Sequence, residues 1–454
     1  MKSVSKLTFY GGVDEIGGNK VLLEDKGTRI LLDFGESFSC GVDYFAGWLQ
    51  PRSVTGLKDY FEFDLLPKLK GVYAKEHLRH TSLRYTEPKI DAVFLSHAHF
   101  DHVNHIRFLD PKIPVYLGVG AKLFLEAMEQ TSTSSEYGEH CYRTFRSGDT
   151  VKIGSLAVEP IHVDHSIPAA YSFIIHTSAG AIVYTGDFRS HGPRKDLTTD
   201  FLEKARSCEP VALISEGTRV VDNDTRGNLS EENVRERADA LVSKTRKPVF
   251  LTHYSRDMDR LRTLYQVAKE NNRQLVISPK TAHLLQGLLQ DEHLKLPDPV
   301  KDDTLLIYFR KKRSGTFQDT DYFLWEREFM DKMVNHEYVN RKQRELMMNL
   351  SFYNLTELID IRPITGSHFI HSMSEPFSEE DVEDQVMQNW LDHFGIEFHQ
   401  LHSSGHLNKG QLAKFLNEIR AKKVFPIHTE NQHLFKSIAK NVQIVERATE
   451  YKLQ

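Results

Sequence analysis

Cysteine is scarce in this chain. Only Cys40, Cys141 and Cys208 occur in 454 residues, far apart and with no CxxC pair. That argues against a disulfide framework and against a thiolate zinc site, so the three read as free thiols. Long apolar runs are missing too: no stretch reaches the roughly 18 residues that a membrane span requires. The opening MKSVSKLTFYGG has no apolar signal-peptide core, so the expectation is a cytoplasmic protein with no membrane partner. Net charge is small, −5 with 23 histidines, and gives no global attraction to nucleic acid. A phosphate-rich ligand would therefore need a local basic channel or metal ions. Internal repeats and low-complexity tracts are also lacking.

What is present is the composition of a globular protein, 40% hydrophobic and 27% charged, with a length that favours two or three lobes. The segment LTFYGGVDEIGGNKVLLEDKGTRILLDFGESF carries short apolar runs separated by glycine pairs and a DKG turn, which predicts successive strands. The same pattern returns in DAVFLSHAH, IPVYLG, LAVEPIHV, YSFIIHTSAGAIVYTGDF and VALISEG, with helices predicted over GAKLFLEAMEQ and LTTDFLEKARSC. From about Leu229 the pattern changes. A helix capped by Ser230 carries acidic residues in its first turn, and PVFLTHY and QLVISP then alternate with helical stretches, which predicts βαβ units and a parallel sheet. Residues 36 to 90, rich in Tyr, Lys and Arg, and the RKKR and RKQR runs between 310 and 350 stand apart from both patterns. Each basic run is a solvated face or an RNA path. The 36–90 segment either stacks on bases over a cleft or buries one face as a helical embellishment.

Histidine is concentrated where chemistry would need it. In FLSHAHFDHVNH, His97 and His99 are two residues apart after an apolar run, so on an extended strand they share a face, while Asp101 and His102 follow where the chain is predicted to enter a helix. Imidazole and carboxylate at this spacing suit zinc, with manganese or iron as alternatives. Further candidates stand at predicted strand ends: His162 and His165 in IHVDHSIP, Asp187 in VYTGDF and His428 in VFPIHTEN. Together they supply enough ligands for two metals. His105 and His162 are read as ordinary polar residues, and His140 and His191 as solvated.

HAHFDH, DHSIP, YTGDF and PIHTE, in that order, resemble the motifs of the metallo-β-lactamase fold; LISEGT, SSGH and FPIHTE are similar to those of its β-CASP nucleases, and GGVDEIGGN points to the RNase J group. The resemblance spans nearly the whole chain. It implies an α/β architecture, an αββα metallo-β-lactamase sandwich with an inserted α/β β-CASP domain. The sandwich would comprise residues 1–217, with an insertion at about 36–90, and a returning piece at 396–454, with the β-CASP domain at 218–395.

The resemblance further implies that His97, His99 and His165 hold one divalent ion, that Asp101, His102 and His428 hold the other, and that Asp187 bridges them. Zinc is the first choice of ion and manganese the second. His165 is preferred to His162 because it precedes the Ser-Ile-Pro context of the motif. Asp33 in ILLDFG would orient a ligand histidine from beneath. Asp101, His406 and Glu216 are the expected catalytic groups, with His406 facing the scissile phosphate and Glu216 orienting it or the attacking water.

Gly366 and Ser367 match the start of a phosphate-binding Gly-Ser segment, with His368 departing from its usual pattern, Ser372 and Ser374 as added donors, and Ser255 and Arg256 beside a substrate channel. The expected partner is single-stranded RNA, 5′-monophosphorylated, acted on by a homodimer. The expected activity is metal-dependent RNA hydrolysis, 5′-to-3′ exonucleolytic with endonucleolytic cutting as a second mode. Alternatives are a β-CASP nuclease acting on DNA, a small-molecule hydrolase of the same fold, and a silent RNA-binding subunit that would have lost ligands.

Overall fold

The computed structural model describes residues 4–132, 136–374 and 382–453. The glycine-punctuated N-terminal runs form an antiparallel ribbon, since alternating apolar residues can bury one face while a longer loop over residues 12–19 and a two-residue turn at Lys26 and Gly27 reverse the chain. β1 (Ser5–Gly11), β2 (Lys20–Asp25) and β3 (Thr28–Leu32) pair in that order. β4 (Ala92–Phe94), β5 (Val115–Gly118) and β6 (Tyr142–Phe145) then add parallel to β3, and β20 (Glu450–Leu453) closes the opposite edge against β1.

A second sheet begins with the antiparallel strands β7 (Val151–Ile153), β8 (Leu156–His162), β9 (Tyr171–Thr177) and β10 (Gly180–Tyr184). β11 (Ala212–Ser215) and β19 (Val424–Pro426) extend it in parallel. The two sheets face each other through aromatic rings. Phe9 stacks on Phe425 at 5.5 Å and Phe94 meets Phe173 edge-on at 5.8 Å, distances at which aromatic pairs attract beyond their buried area. Helices cover the outside: Val119–Thr131 lies against β5 and β6, while Lys195–Ser207 and Lys409–Ile419 meet over the second sheet through Phe201 and Phe415. This is the αββα sandwich.

The alternating segment after Leu229 forms a third sheet, parallel throughout: β12 (Val249–His253), β13 (Gln274–Ile277), β14 (Leu305–Tyr308), β15 (Met333–Val334), β16 (Leu346–Asn349), β17 (Ser367–Ser372) and β18 (Ile396–Gln400). Its spatial order is β15-β14-β13-β16-β12-β17-β18. Residues 396–400, expected with the returning piece of the sandwich, thus supply its edge strand. The helix over Glu231–Lys244 starts at Ser230, whose side chain accepts from Asn233 N. Buried Arg260 and Arg189 tie this sheet to the sandwich. Arg260 pairs with Glu231 at 2.9 Å and donates to the carbonyls of Ser372 and Ser403; Arg189, two residues after Asp187, reaches Asp164 and Asp259.

Residues 36–90 divide between the two alternatives: Tyr44 and Trp48 stay exposed, while the part from Leu57 onward contributes buried side chains. Leu57, Tyr60, Phe61, Leu66, Val72 and Tyr73 join the main core, with one short helix at Lys58–Glu62. The RKKR run is committed to its surroundings: Lys311 and Lys312 face Asp360 and Glu326, Arg310 binds Asn354, and Arg313 donates to Thr320 O. Among the described residues no helix is long and apolar enough to cross a membrane.

Candidate metal centre

Parallel strands in register bring the loops at their carboxyl ends together, and here they come from both sandwich sheets. Asp33 follows β3, residues 96–102 follow β4, Asp187 follows β10, Glu216 follows β11 and His428 follows β19. β4 stops at Phe94, so His97 and His99 are not on a strand as expected. Asp33 is the physical reason: its carboxylate takes Ser96 N–H at 2.6 Å, a donor that a longer strand would have used. The two imidazoles converge nonetheless, because the chain turns at once into the helix Phe100–Val103, which carries Asp101 and His102.

His97 Nε2 and His165 Nε2 lie 3.0 and 3.1 Å from His99 Nδ1, and with Asp187 these atoms form one cluster. Asp101, His102, His428 and the same Asp187 form a second, with His428 Nε2 2.8 Å from Asp101 and His102 Nε2 3.1 Å from Asp187. All seven groups except His99 are buried.

The remaining nitrogens are held from behind. His102 Nδ1 donates to Asp33 Oδ2 at 2.7 Å, an acceptor that also receives Tyr184 OH and Ser96 Oγ; His97 Nδ1 lies 3.0 Å from Ser96 Oγ. His165 Nδ1 donates to Gly405 O at 2.8 Å. His428 Nδ1 donates to Thr218 Oγ1 at 2.9 Å, and Thr218 donates onward to Glu216 Oε2 at 2.8 Å. Such partners fix the tautomer that leaves the inward nitrogen free to bind a cation. Thr218 was not identified from the sequence; its position two residues after Glu216 in LISEGT was the available signal.

Backbone strain collects at the same place. Asp33 and His428 both adopt the left-handed region, at φ 55° and 52°, where side chains other than glycine are costly and persist where the surroundings impose them. Gly17 has φ +78°, and a Cβ there would lie 2.4 Å from Asp101 Cβ. Gly405 in SSGH is required by close approach, since a Cβ would meet His165 Cε1 at 2.9 Å.

Charge in the centre is divided. Burial pushes His97 and His165 well below the ordinary imidazole range and His99 down to about 3, so the first cluster is neutral nitrogen plus one carboxylate. In the second, burial opposes charge on His428, but Asp187 and Asp101 overcome it and push the ring up to about 9. These carboxylates attract a proton where a cation would serve. Asp187 Oδ1 is buried and accepts no hydrogen bond among the described residues. An unshared buried carboxylate oxygen, imidazole nitrogens about 3 Å apart and an all-N/O donor set fit divalent cations.

His406 and Glu216 lie beside the shared ligand. His406 Nδ1 is 3.2 Å from Glu216 Oε1, and both groups cluster with Asp187. The His406 ring stands 5.4 Å from that of His165 and 5.8 Å from that of His428, with a fifth of its side chain exposed while Glu216 is buried. Arg256 donates to Ala98 O at 3.3 Å at the rim, beside exposed Ser255. Ser374 pairs with Tyr254 OH at 2.7 Å. Ser372 Oγ is buried, accepting from Arg260 and donating to Leu401 O, and is thereby withdrawn from substrate.

Gly366, Ser367 and His368 are not brought to the centre. They lie at the opposite end of β17 from Ser372, five residues or about 16 Å along an extended strand, and Ser367 Oγ donates to Ile364 O. The three residues therefore stand apart from the two ligand clusters. His191, expected in solvent, is half-buried and donates to Ser404 O at 3.0 Å. His105 is fully buried, 3.3 Å from Glu36, and His140 lies 2.7 Å from Tyr137 O.

A family model described as a beta-lactamase superfamily domain matches residues 63–254, and one described as a Zn-dependent metallo-hydrolase RNA specificity domain matches residues 395–440. Ribonuclease J of Helicobacter pylori strain J99 is 24% identical over 95% of the chain, and Ribonuclease J 2 of Streptococcus pyogenes is 23% identical over 94%. These matches support a β-CASP, RNase J-like protein of the metallo-β-lactamase fold. This RNase J-like chain spans 57% of the length of the Helicobacter protein and 70% of the Streptococcus one. A crystal structure of a protein of unknown function from Enterococcus faecalis V583 shares its fold, with a TM-score of 0.78 at 22% identity over 99% of this chain and 100% of that one.

Proposed function

We propose that this chain is a metal-dependent ribonuclease that hydrolyses RNA phosphodiesters at a site holding two divalent ions, zinc in the first instance. The observation that carries the reading is the pair of ligand clusters meeting at Asp187, with His97, His99 and His165 on one side and Asp101, His102 and His428 on the other. Two bound cations would neutralise charge on the phosphate and lower the pKa of water toward neutrality. RNA is the substrate class because the relatives over nearly the whole chain are named Ribonuclease J and residues 395–440 match an RNA specificity domain.

The chain's own groups divide the remaining work. His406 is the partly exposed imidazole at the mouth and is positioned to stabilise charge on the phosphate or to give a proton to the departing oxygen. Glu216 holds His406 through one oxygen and, through Thr218, His428 with the other. Arg256 offers positive charge to the polymer backbone at the rim. Water attack in line on phosphorus leaves a 5′-phosphate and a 3′-hydroxyl, and 5′-to-3′ exonucleolytic progress on single-stranded RNA is the mode we assign. The test uses 5′-labelled RNA and DNA oligomers of one sequence with the metal-loaded protein. Release of labelled mononucleotide from 5′-monophosphorylated RNA alone is expected; cleavage of neither polymer would overturn the reading.

A further inference from the structure

His368, which lies apart from the centre, belongs to a different constellation. β17 and β18 are parallel partners with His368 opposite Glu397 and Ile370 opposite His399. Residues two apart on a strand share a face, so Glu397 and His399 project from the same side of the sheet edge, and the register sets His368 beside them. His368 Nδ1 lies 3.1 Å from His399 Nε2 and 3.3 Å from Glu397 Oε2. A tetrahedral zinc with nitrogen and oxygen ligands at about 2.0–2.1 Å separates its ligands by about 3.3 Å. The same spacing between imidazole nitrogens occurs in the candidate centre, at 3.0 and 3.1 Å.

We propose that His368, Glu397 and His399 form a separate zinc-binding site of two imidazoles and one carboxylate, with water completing the coordination, at the free edge of the third sheet. Three ligand atoms on two adjacent strands are convergent without any loop rearrangement, because sheet register alone sets their spacing. Burial keeps His368 and His399 below the ordinary imidazole range, with Lys247 and Arg273 adding to the effect on His368 against the pull of Glu397. Both rings are therefore neutral at neutral pH, the form that binds metal. Lys247 and Arg273 also repel a cation, and Glu397 is the group that offsets them. Bound zinc would clip β18 to β17 just before the chain returns through Ser403 and Gly405 to His406.

The experiment counts zinc bound per chain by competition with a chromophoric chelator, for the unsubstituted protein, Glu397→Gln and His399→Ala. Each variant is expected to bind one equivalent fewer while RNA cleavage is unchanged, so the result is read apart from the nuclease reading. Equal zinc counts in all three proteins would overturn the site. Glu397 is mostly exposed, so Glu397→Gln tests the idea even where His399→Ala impairs folding.

Discussion

Two histidine clusters in this molecule share the same ligand spacing and differ in what stands behind them. In the candidate centre, His97, His102, His165 and His428 each have the second ring nitrogen engaged, by Ser96, Asp33, Gly405 O and Thr218. At the edge of the third sheet, His368 and His399 are partly buried and have no such hydrogen bond on their outer nitrogens among the described residues. The centre draws its ligands from several loops at strand ends of two sheets; the edge cluster draws on the register of one strand pair. Convergence is therefore obtainable from sheet geometry alone. Preorganisation needs the buried second layer, and the expectation is a centre that keeps its ions through dialysis and an edge site that exchanges them.

The largest effect that tests this contrast is expected at Asp187, the ligand common to both clusters of the centre. Asp187→Ala should abolish RNA cleavage and release both ions of the centre, measured by elemental analysis after dialysis, while zinc binding at the edge site, measured by chelator competition, is unchanged. Retention of two ions at the centre would show that Asp187 is not shared. Next is His406→Ala. Metal content should stay constant and turnover fall by about 100-fold or more, the usual cost of removing an electrostatic stabiliser of a transition state. Loss of metal with activity would instead make His406 part of the supporting layer.

The sequence made one region far more legible than the other, for a physical reason. Histidine and aspartate after apolar runs are visible because strand-end position and ligand chemistry are both local properties, and His97, His99, Asp101, His102, His165, Asp187 and His428 meet in space. The parallel third sheet was legible from alternation of strand and helix patterns. Of the partners behind the ligands, Asp33 was expected from its motif, but Thr218 and Tyr184 are ordinary residues until the fold brings Glu216 to His428 and Asp33 to His102. The position of Gly366, Ser367 and His368 away from the ligand clusters was hidden for the same reason, since only the fold shows that Gly-Ser here enters β17. Edge clusters depend on register from the outset, so His368 could be read in sequence only as an isolated residue.

Thr218→Val sharpens the comparison by removing the second layer without touching a ligand. Val keeps the branched shape and loses the hydroxyl, so His428 Nδ1 loses its acceptor and Glu216 Oε2 loses a donor. Metal affinity at the centre should fall by about 10-fold, at the lower end of the range for such partners, as measured by chelator competition. No change would place the organisation of His428 in its backbone, which already holds φ 52°.

The smallest expected effect is that of Glu397→Gln on stability. Without zinc, an exposed substitution of this kind should change unfolding free energy by no more than about 0.5 kcal/mol. With free zinc at about ten times the edge site's dissociation constant, the unsubstituted chain gains about 1.4 kcal/mol from that site by mass action, and the variant does not. Ions at the centre stabilise both proteins alike, so they cancel in the difference. The thermal midpoints should therefore coincide in chelator and separate on adding zinc. Separation already present in chelator would mean that Glu397 serves the strand pair directly, through His368 at 3.3 Å, and that β18 is held without a metal.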